Sequence, residues 1–243
     1  MVADDDLWVY DWFGISAFSP HVVREAIRDN VDDELVVEVN SGGGSVFAGF
    51  EIFSLLRGAE CRTVAVVQSL AASAASTIIS GCDTVQVSPV AQIMLHLPAI
   101  VTEGNREDHR DSIKLLDSIT ESILNGYESK CRGKATRDKL AQLMRAETWI
   151  PAQDAVEMGL ADEILYQDDT TGIIPGNIVN AVGSSIRGLI NGATQPSAAE
   201  LRARYADLVA KGATPAAGHP APAPIQSMPW QARARLEIEK NRY

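Results

Sequence analysis

Within residues 40–96 the chain reads Asn40-Ser-Gly-Gly-Gly-Ser45, then Ser69-Leu-Ala-Ala-Ser-Ala-Ala-Ser76, and then Met94-Leu-His96. Glycine has no side chain, so the glycine run lets backbone N–H groups approach a bound molecule closely. A serine among alanines can act as a nucleophile, and a histidine can take its proton. Together the three segments carry the groups that acyl transfer requires.

The chain around these segments alternates between strand and helix patterns as far as about residue 165. Short runs rich in β-branched residues predict strands at residues 35–39, 63–67, 84–87 and 92–95. Apolar residues at helical spacing predict helices over about residues 46–56, 107–130, 136–145 and 152–158. The alternation predicts an α/β protein with a right-handed helical crossover between the first two strands.

Ser73 is the candidate nucleophile. The preceding strand pattern ends at Val67 and a helix is predicted to begin near Ser73, so its hydroxyl should lie close to free N–H groups. The N–H of Ala74 could face an oxyanion formed at Ser73, and Gly44 could supply a second N–H from the glycine turn. Ser76, one helical turn further on, is the second candidate for the nucleophile.

His96 is the candidate base, because it directly follows an apolar strand and is therefore held at a sheet end. The other three histidines lie in less suitable surroundings. His21 is near a helix start, His109 is in a charged helical stretch, and His219 is in a linker rich in proline and alanine. We expect these three to be structural or solvated.

The composition narrows the choice of partners. The formal net charge of −11 argues against binding to nucleic acid and to anionic membranes. Cys61, Cys82 and Cys131 are widely spaced and form no CxxC pair, which predicts free thiols in a reducing compartment and argues against a zinc site. No cofactor or metal is expected. The acidic first residues do not resemble a signal peptide, and the longest apolar run is too polar to span a membrane.

The character of the chain changes after residue 166, which divides a catalytic domain at 1–166 from a tail at 167–243. The tail is expected to be largely irregular and to contribute no strand to a sheet. The capping box at Ser197–Glu200 predicts a short helix over about residues 197–211. Residues 213–229 contain five prolines, which indicates an extended linker before a short C-terminal segment.

Taken in this order, the motifs resemble the Clp protease proteolytic subunit family, and more closely the Clp-type head maturation (prohead) proteases of tailed phages. The resemblance covers about residues 7–165 and includes the run from Glu147 to Asp162. It implies a crotonase-like spiral of β-β-α units with a helical handle, assembled into a ring-shaped homo-oligomer. It also implies that Ser73 is the nucleophile, that His96 is the base, and that Gly44 and Ala74 form the oxyanion hole.

The third member of the implied triad departs from the family pattern. The family has an aspartate just before the aromatic residue that opens a helix, and the matching residue here is Glu147, ahead of Trp149. A glutamate can orient a histidine as an aspartate does, with one more methylene to accommodate. Asp162 is the rival carboxylate, although it falls after that helix. Gly42 also replaces a family proline, so the glycine turn should be less rigid.

The resemblance favours a serine endopeptidase that processes phage capsid or scaffold protein in the host cytoplasm or the assembling prohead. The alternative is a cellular ATP-dependent Clp subunit that works with a ring ATPase. A crotonase-type acyl-CoA enzyme would share the fold and the oxyanion hole but needs no nucleophile at a helix start. An inactive assembly protein would not need an intact serine, histidine and carboxylate. A Ser–Lys peptidase is disfavoured because no lysine precedes Lys114.

Overall fold

The computed structural model describes residues 1–29, 34–166, 179–180 and 196–211 of the chain. They fall into two compact units. One draws on Met1–Asp4 and Phe18–Gln195, and the other on Asp5–Ala17 and Pro196–Tyr243.

Strands and helices alternate along the first unit, as the sequence predicts. The described strands are β1 (Leu35–Ser41), β2 (Thr63–Ala72), β3 (Thr84–Val87), β4 (Gln92–Leu95), β5 (Thr148–Pro151), β6 (Glu163–Ile164) and β7 (Val179–Asn180). The described helices are α1 (Leu7–Trp12), α2 (Pro20–Asp29), α3 (Val46–Arg57), α4 (Ala74–Ile79), α5 (Arg106–Cys131), α6 (Arg137–Arg145), α7 (Ala152–Met158) and α8 (Ala198–Ala210), with a 3-10 turn at Asp4–Asp6. The predicted α/β class is confirmed.

The seven strands form one sheet in the order β6-β3-β2-β4-β5-β7, with β1 also paired to β2. β2 pairs in parallel with β1, β3 and β4, and β3 pairs in parallel with β6. β5 runs antiparallel to both β4 and β7. Val67, Val85 and Leu95 are fully buried, which explains the continuous apolar composition of these strands.

The structure corrects the expected end of β2. The strand was expected to stop at Val67, but it continues to Ala72. Its second part pairs with β4, with Leu70 opposite Gln92 and Ala72 opposite Met94. Ala71 and Ala72 are therefore the last residues of a strand, because a parallel neighbour supplies their backbone hydrogen bonds, and the helix begins at Ala74, near Ser73 as expected.

The structure also corrects the expectation that the tail adds no strand. Val179 and Asn180 pair antiparallel with Trp149 and Thr148 of β5. Backbone pairing at a sheet edge does not require alternating apolar residues, so the composition of the tail gave no indication of this short strand.

The second unit combines residues from both ends of the chain. The described part of the tail contains α8, and Ser197 and Glu200 form a capping box at its start. Tyr205 of α8 lies edge-on to Trp8 and Trp12 of α1, with ring centroids 5.2 and 5.1 Å apart. Arg202 forms an ion pair with Asp6 at 2.6 Å. The tail helix thus packs on an N-terminal segment, a contact that no sequence pattern predicted.

All three cysteines are free, as the sequence predicts, and all three are buried. Burial raises the pKa of Cys82 to about 12 and that of Cys131 to about 11. Their positions differ, since Cys61 precedes β2, Cys82 lies between α4 and β3, and Cys131 ends α5. Within the described ranges, no helix is long and apolar enough to cross a membrane.

Candidate active site

Ser73 lies at the sharp turn between the end of β2 and the start of α4. Its backbone has φ 57° and ψ −129°, a conformation that residues other than glycine rarely adopt. Such a residue carries about 1–3 kcal/mol of strain, so the surrounding structure must hold it in place. The Ser73 N–H donates to the Met94 carbonyl at 3.0 Å, and the Ser73 carbonyl accepts from the Ser76 N–H at 3.0 Å. The turn presents the Ser73 hydroxyl at the end of the sheet.

His96 lies beside this hydroxyl. It directly follows β4, the parallel neighbour of the last part of β2, so both residues leave the same edge of the sheet. The His96 Nε2 and the Ser73 Oγ are 2.7 Å apart. If the hydroxyl donates this hydrogen bond, Nε2 is the acceptor and the proton of the neutral ring is on Nδ1. This is the tautomer that a general base needs.

Glu147 reaches the same edge through β5, a strand that the sequence analysis did not predict. The antiparallel pairs of β4 and β5 end with Leu95 opposite Thr148. Continuing this register by one residue places Glu147 across from His96. Glu147 has φ 49°, so it, too, adopts a backbone conformation that residues other than glycine rarely adopt. The strand register therefore brings the predicted carboxylate next to the predicted base.

Asp162, the rival carboxylate, takes part in a different cluster. Its Oδ2 accepts from Lys130 Nζ at 2.6 Å and from the Val85 N–H at 2.7 Å. Lys130 also donates to the carbonyls of Cys82 and Asp83, each at 3.2 Å. Asp162 thus connects the end of α5 to the start of β3, and this indicates that it stabilises the fold.

This cluster leads to a prediction about stability. Only 2% of the Lys130 side chain is exposed, and replacing it by methionine leaves the Asp162 carboxylate and two carbonyls without the ammonium. The Asp162 side chain is 34% exposed, so water can partly replace the ammonium there, and the main cost is that of buried acceptors left without a donor, about 1–3 kcal/mol. We expect Lys130→Met to lower the free energy of unfolding in urea by about that amount. The exposed Lys139→Met should change it by less than about 0.5 kcal/mol, and equal effects would contradict the structural role of the cluster.

The glycine turn packs against Ser73. Gly43 has φ 107°, and a Cβ on it would lie 2.7 Å from the Ser73 Cβ and 3.1 Å from the Ala74 nitrogen. Only glycine fits there, and the sequence analysis did not single this residue out from its two neighbours. The Gly43 N–H donates to Ser41 Oγ at 3.2 Å, and Gly44 follows with φ 146°.

Ser76 lies behind the turn. It is buried, and its hydroxyl donates to the Ser73 carbonyl at 2.5 Å and is 2.7 Å from the Tyr127 hydroxyl. The structure therefore pairs Ser73 with His96 and directs Ser76 toward α5.

The remaining histidines lie in other surroundings. His21 is in α2, where its backbone N–H donates to Asp4 Oδ1. His109 is exposed on α5, with its Nδ1 3.4 Å from Thr102 Oγ1. His219 lies outside the described residues.

Comparison with known proteins identifies the family. The model of the Clp protease family matches residues 25–168, more than half of the chain. ATP-dependent Clp protease proteolytic subunit 2 of Nocardia farcinica is 29% identical over 134 residues, which cover 54% of this chain and 65% of that protein, or just under two thirds. Proteolytic subunit 1 of Chlamydia trachomatis is 30% identical over 142 residues, which cover 56% of this chain and 72% of that protein. The Bacteroides fragilis subunit is 25% identical over 143 residues. The chain belongs to the Clp protease family.

Proposed function

We propose that the protein is a serine endopeptidase in which Ser73 is the nucleophile, His96 the general base and Glu147 the residue that orients the base. The single observation that carries this proposal is the 2.7 Å contact between Ser73 Oγ and His96 Nε2 at a strained strand-to-helix turn. Asp162 is not assigned a role in the chemistry, because its Oδ2 is held by Lys130 and the Val85 N–H.

In the proposed reaction these residues act in turn. Ser73 Oγ attacks the carbonyl carbon of the scissile peptide bond while its proton passes to His96 Nε2. Glu147 stabilises the resulting imidazolium through Nδ1–H. The N–H groups of Ala74 and Gly44 donate to the oxyanion of the tetrahedral intermediate. His96 then gives the proton to the leaving amine, and water hydrolyses the acyl-enzyme by the same steps.

The nucleophile can be identified by chemical labelling of the full-length chain. A fluorophosphonate probe forms a covalent bond with an activated serine, and peptide mapping of the labelled protein locates it. We expect the label on Ser73. A label on Ser76 would reassign the nucleophile, and an unlabelled protein that also fails to cleave peptides would contradict the proposed activity.

We further propose that the substrate is a phage capsid or scaffold protein. Support comes from the Ala71-Ala-Ser-Ala-Ala-Ser76 run, from Glu147 in place of an aspartate, and from the long tail. The second candidate is a cellular subunit driven by a ring ATPase, and it is favoured by the relatives, which are named as ATP-dependent. Incubation with a purified scaffold protein, without nucleotide, separates the two. Cleavage of the scaffold protein supports the first, whereas cleavage of a folded protein only with an ATPase and ATP supports the second.

We propose that the protein assembles into a ring-shaped homo-oligomer through α5. One side of the C-terminal half of this helix is buried in the subunit core, but Ile113 and Leu115 in its first half are 58% and 45% exposed. Val101 in the preceding loop is fully exposed. Because residues two apart on a helix face different sides, the first half of α5 exposes apolar side chains on two sides, which is typical of a helix that other subunits cover.

Acidic residues introduced into the first half of α5 test the proposed assembly. We expect the double variant Ile113→Asp and Leu115→Asp to elute as a smaller species than the unmodified chain in size-exclusion chromatography with light scattering. The reason is that two carboxylates would lose their hydration in the interface. Val209→Asp, at a similarly exposed apolar residue of α8, is the matched control and should leave the size unchanged. An unchanged size of the double variant would show that α5 does not form the contact.

A further inference from the structure

The structure assigns a positioning role to Tyr127. Acting through the Ser76 hydroxyl, Tyr127 holds the Ser73–Ala74 peptide unit in one orientation. In that orientation the Ala74 N–H points at the oxyanion. This inference rests on the proposed role of Ser73 as nucleophile. Tyr127 lies on α5, and 51 residues of sequence separate it from Ser76.

Four oxygen atoms form a chain of hydrogen bonds with one direction. Ser76 Oγ donates to the Ser73 carbonyl at 2.5 Å. A serine hydroxyl has one proton, so the 2.7 Å contact between Ser76 Oγ and the Tyr127 hydroxyl must be donated by tyrosine. The tyrosine hydroxyl in turn accepts from Thr77 Oγ1 at 3.4 Å. The chain therefore runs from Thr77 through Tyr127 and Ser76 to the Ser73 carbonyl.

Burial strengthens this series of hydrogen bonds. Only 1% of Ser76 and 1% of Tyr127 are exposed. Desolvation raises the pKa of Tyr127, so the phenol keeps the proton that it donates. In a dry interior each hydrogen bond polarises the next, and the bond that reaches the Ser73 carbonyl is strengthened by the tyrosine behind it.

The link to the chemistry is the planarity of the peptide bond. The Ser73 carbonyl and the Ala74 N–H belong to one trans peptide unit and point in opposite directions. A hydrogen bond that draws the carbonyl toward Ser76 and α5 therefore aims the N–H the opposite way, outward beside the Ser73 hydroxyl. Because Ser73 has a positive φ, this peptide unit depends on its partners to keep that orientation.

The test compares rate constants for fluorophosphonate labelling of Ser73, together with kcat and KM for peptide cleavage. We expect Ser76→Ala to label about tenfold more slowly than the unmodified chain and Tyr127→Phe about fivefold more slowly, as expected for a weakened hydrogen bond. The loss should fall on kcat, with KM unchanged, because substrate binding does not use this peptide unit. The double variant should label no more slowly than Ser76→Ala, because the tyrosine acts only through Ser76.

The matched control is Ile123→Val, one turn earlier on the buried side of α5, which should label at the rate of the unmodified chain. Thermal unfolding of every variant separates stability from positioning. The inference would be overturned if either folded single variant labelled at the rate of the unmodified chain. It would also be overturned if the two losses multiplied in the double variant, or if Ile123→Val lost as much. Labelling of the unmodified chain at a residue other than Ser73 would instead overturn the proposed nucleophile.

Discussion

Replacing Ser73 by alanine is expected to abolish probe labelling and to lower kcat for peptide cleavage by a factor on the order of 10⁶, the loss found when a triad nucleophile is removed. The fold should be retained, because the Ser73 side chain makes no capping hydrogen bond at the start of α4. Without such a bond, the change should alter stability by less than about 1 kcal/mol. Labelling, peptide hydrolysis and urea unfolding of the same preparation check all three expectations.

Ser69→Ala is the control for this prediction. Ser69 is an exposed serine on the same strand, and its hydroxyl donates to Asn40 Oδ1 at 2.6 Å. Its replacement should leave labelling intact. A Ser73→Ala protein that still labels, together with a Ser76→Ala protein that does not, would show that the nucleophile is Ser76.

Glu147→Gln is expected to lower kcat on the order of 10⁴-fold, because an amide favours the wrong tautomer of the histidine that it orients. The strand register places residue 147 across from His96, so the change acts on the base and leaves the Ser73 hydroxyl in place. Measurement of kcat and KM on a short fluorogenic peptide separates this loss from a loss of binding.

Asp162→Asn is the matched carboxylate control. It should reduce stability, since it weakens the ion pair with Lys130, but it should change kcat by less than about tenfold. A larger kcat loss in Asp162→Asn than in Glu147→Gln would transfer the third role to Asp162.

Local sequence patterns predicted much of the fold. The strands at 84–87 and 92–95 have the predicted bounds, because turn residues and β-branched residues mark both ends. The helix that ends at Gly159 was also predicted, since glycine adopts the left-handed conformation that stops it. By contrast, β5 has only four residues and carries no periodicity, and it forms because β4 offers it an edge.

The candidate site was less accessible to sequence reasoning than the fold. The serine and histidine stand out because each follows a predicted strand, but their 2.7 Å contact depends on the extension of β2 beside β4. The contact of Tyr127 with Ser76 depends on the packing of α5 on α4, so no local sequence pattern predicts it. Gly43 differs from Gly42 in its positive φ and in its packing against Ser73, and a run of three glycines reveals neither feature.

The three buried cysteines give the protein an internal reporter of its own unfolding. A thiol reacts with an alkylating reagent as the thiolate, and the raised pKa of Cys82 and Cys131 makes that form rare in the native state. Reaction then requires the surrounding structure to open, so the alkylation rate at each cysteine measures how often its own region does so. Because the thiols lie before β2, after α4 and at the end of α5, mass spectrometry of one alkylated sample would compare the opening of three parts of the core.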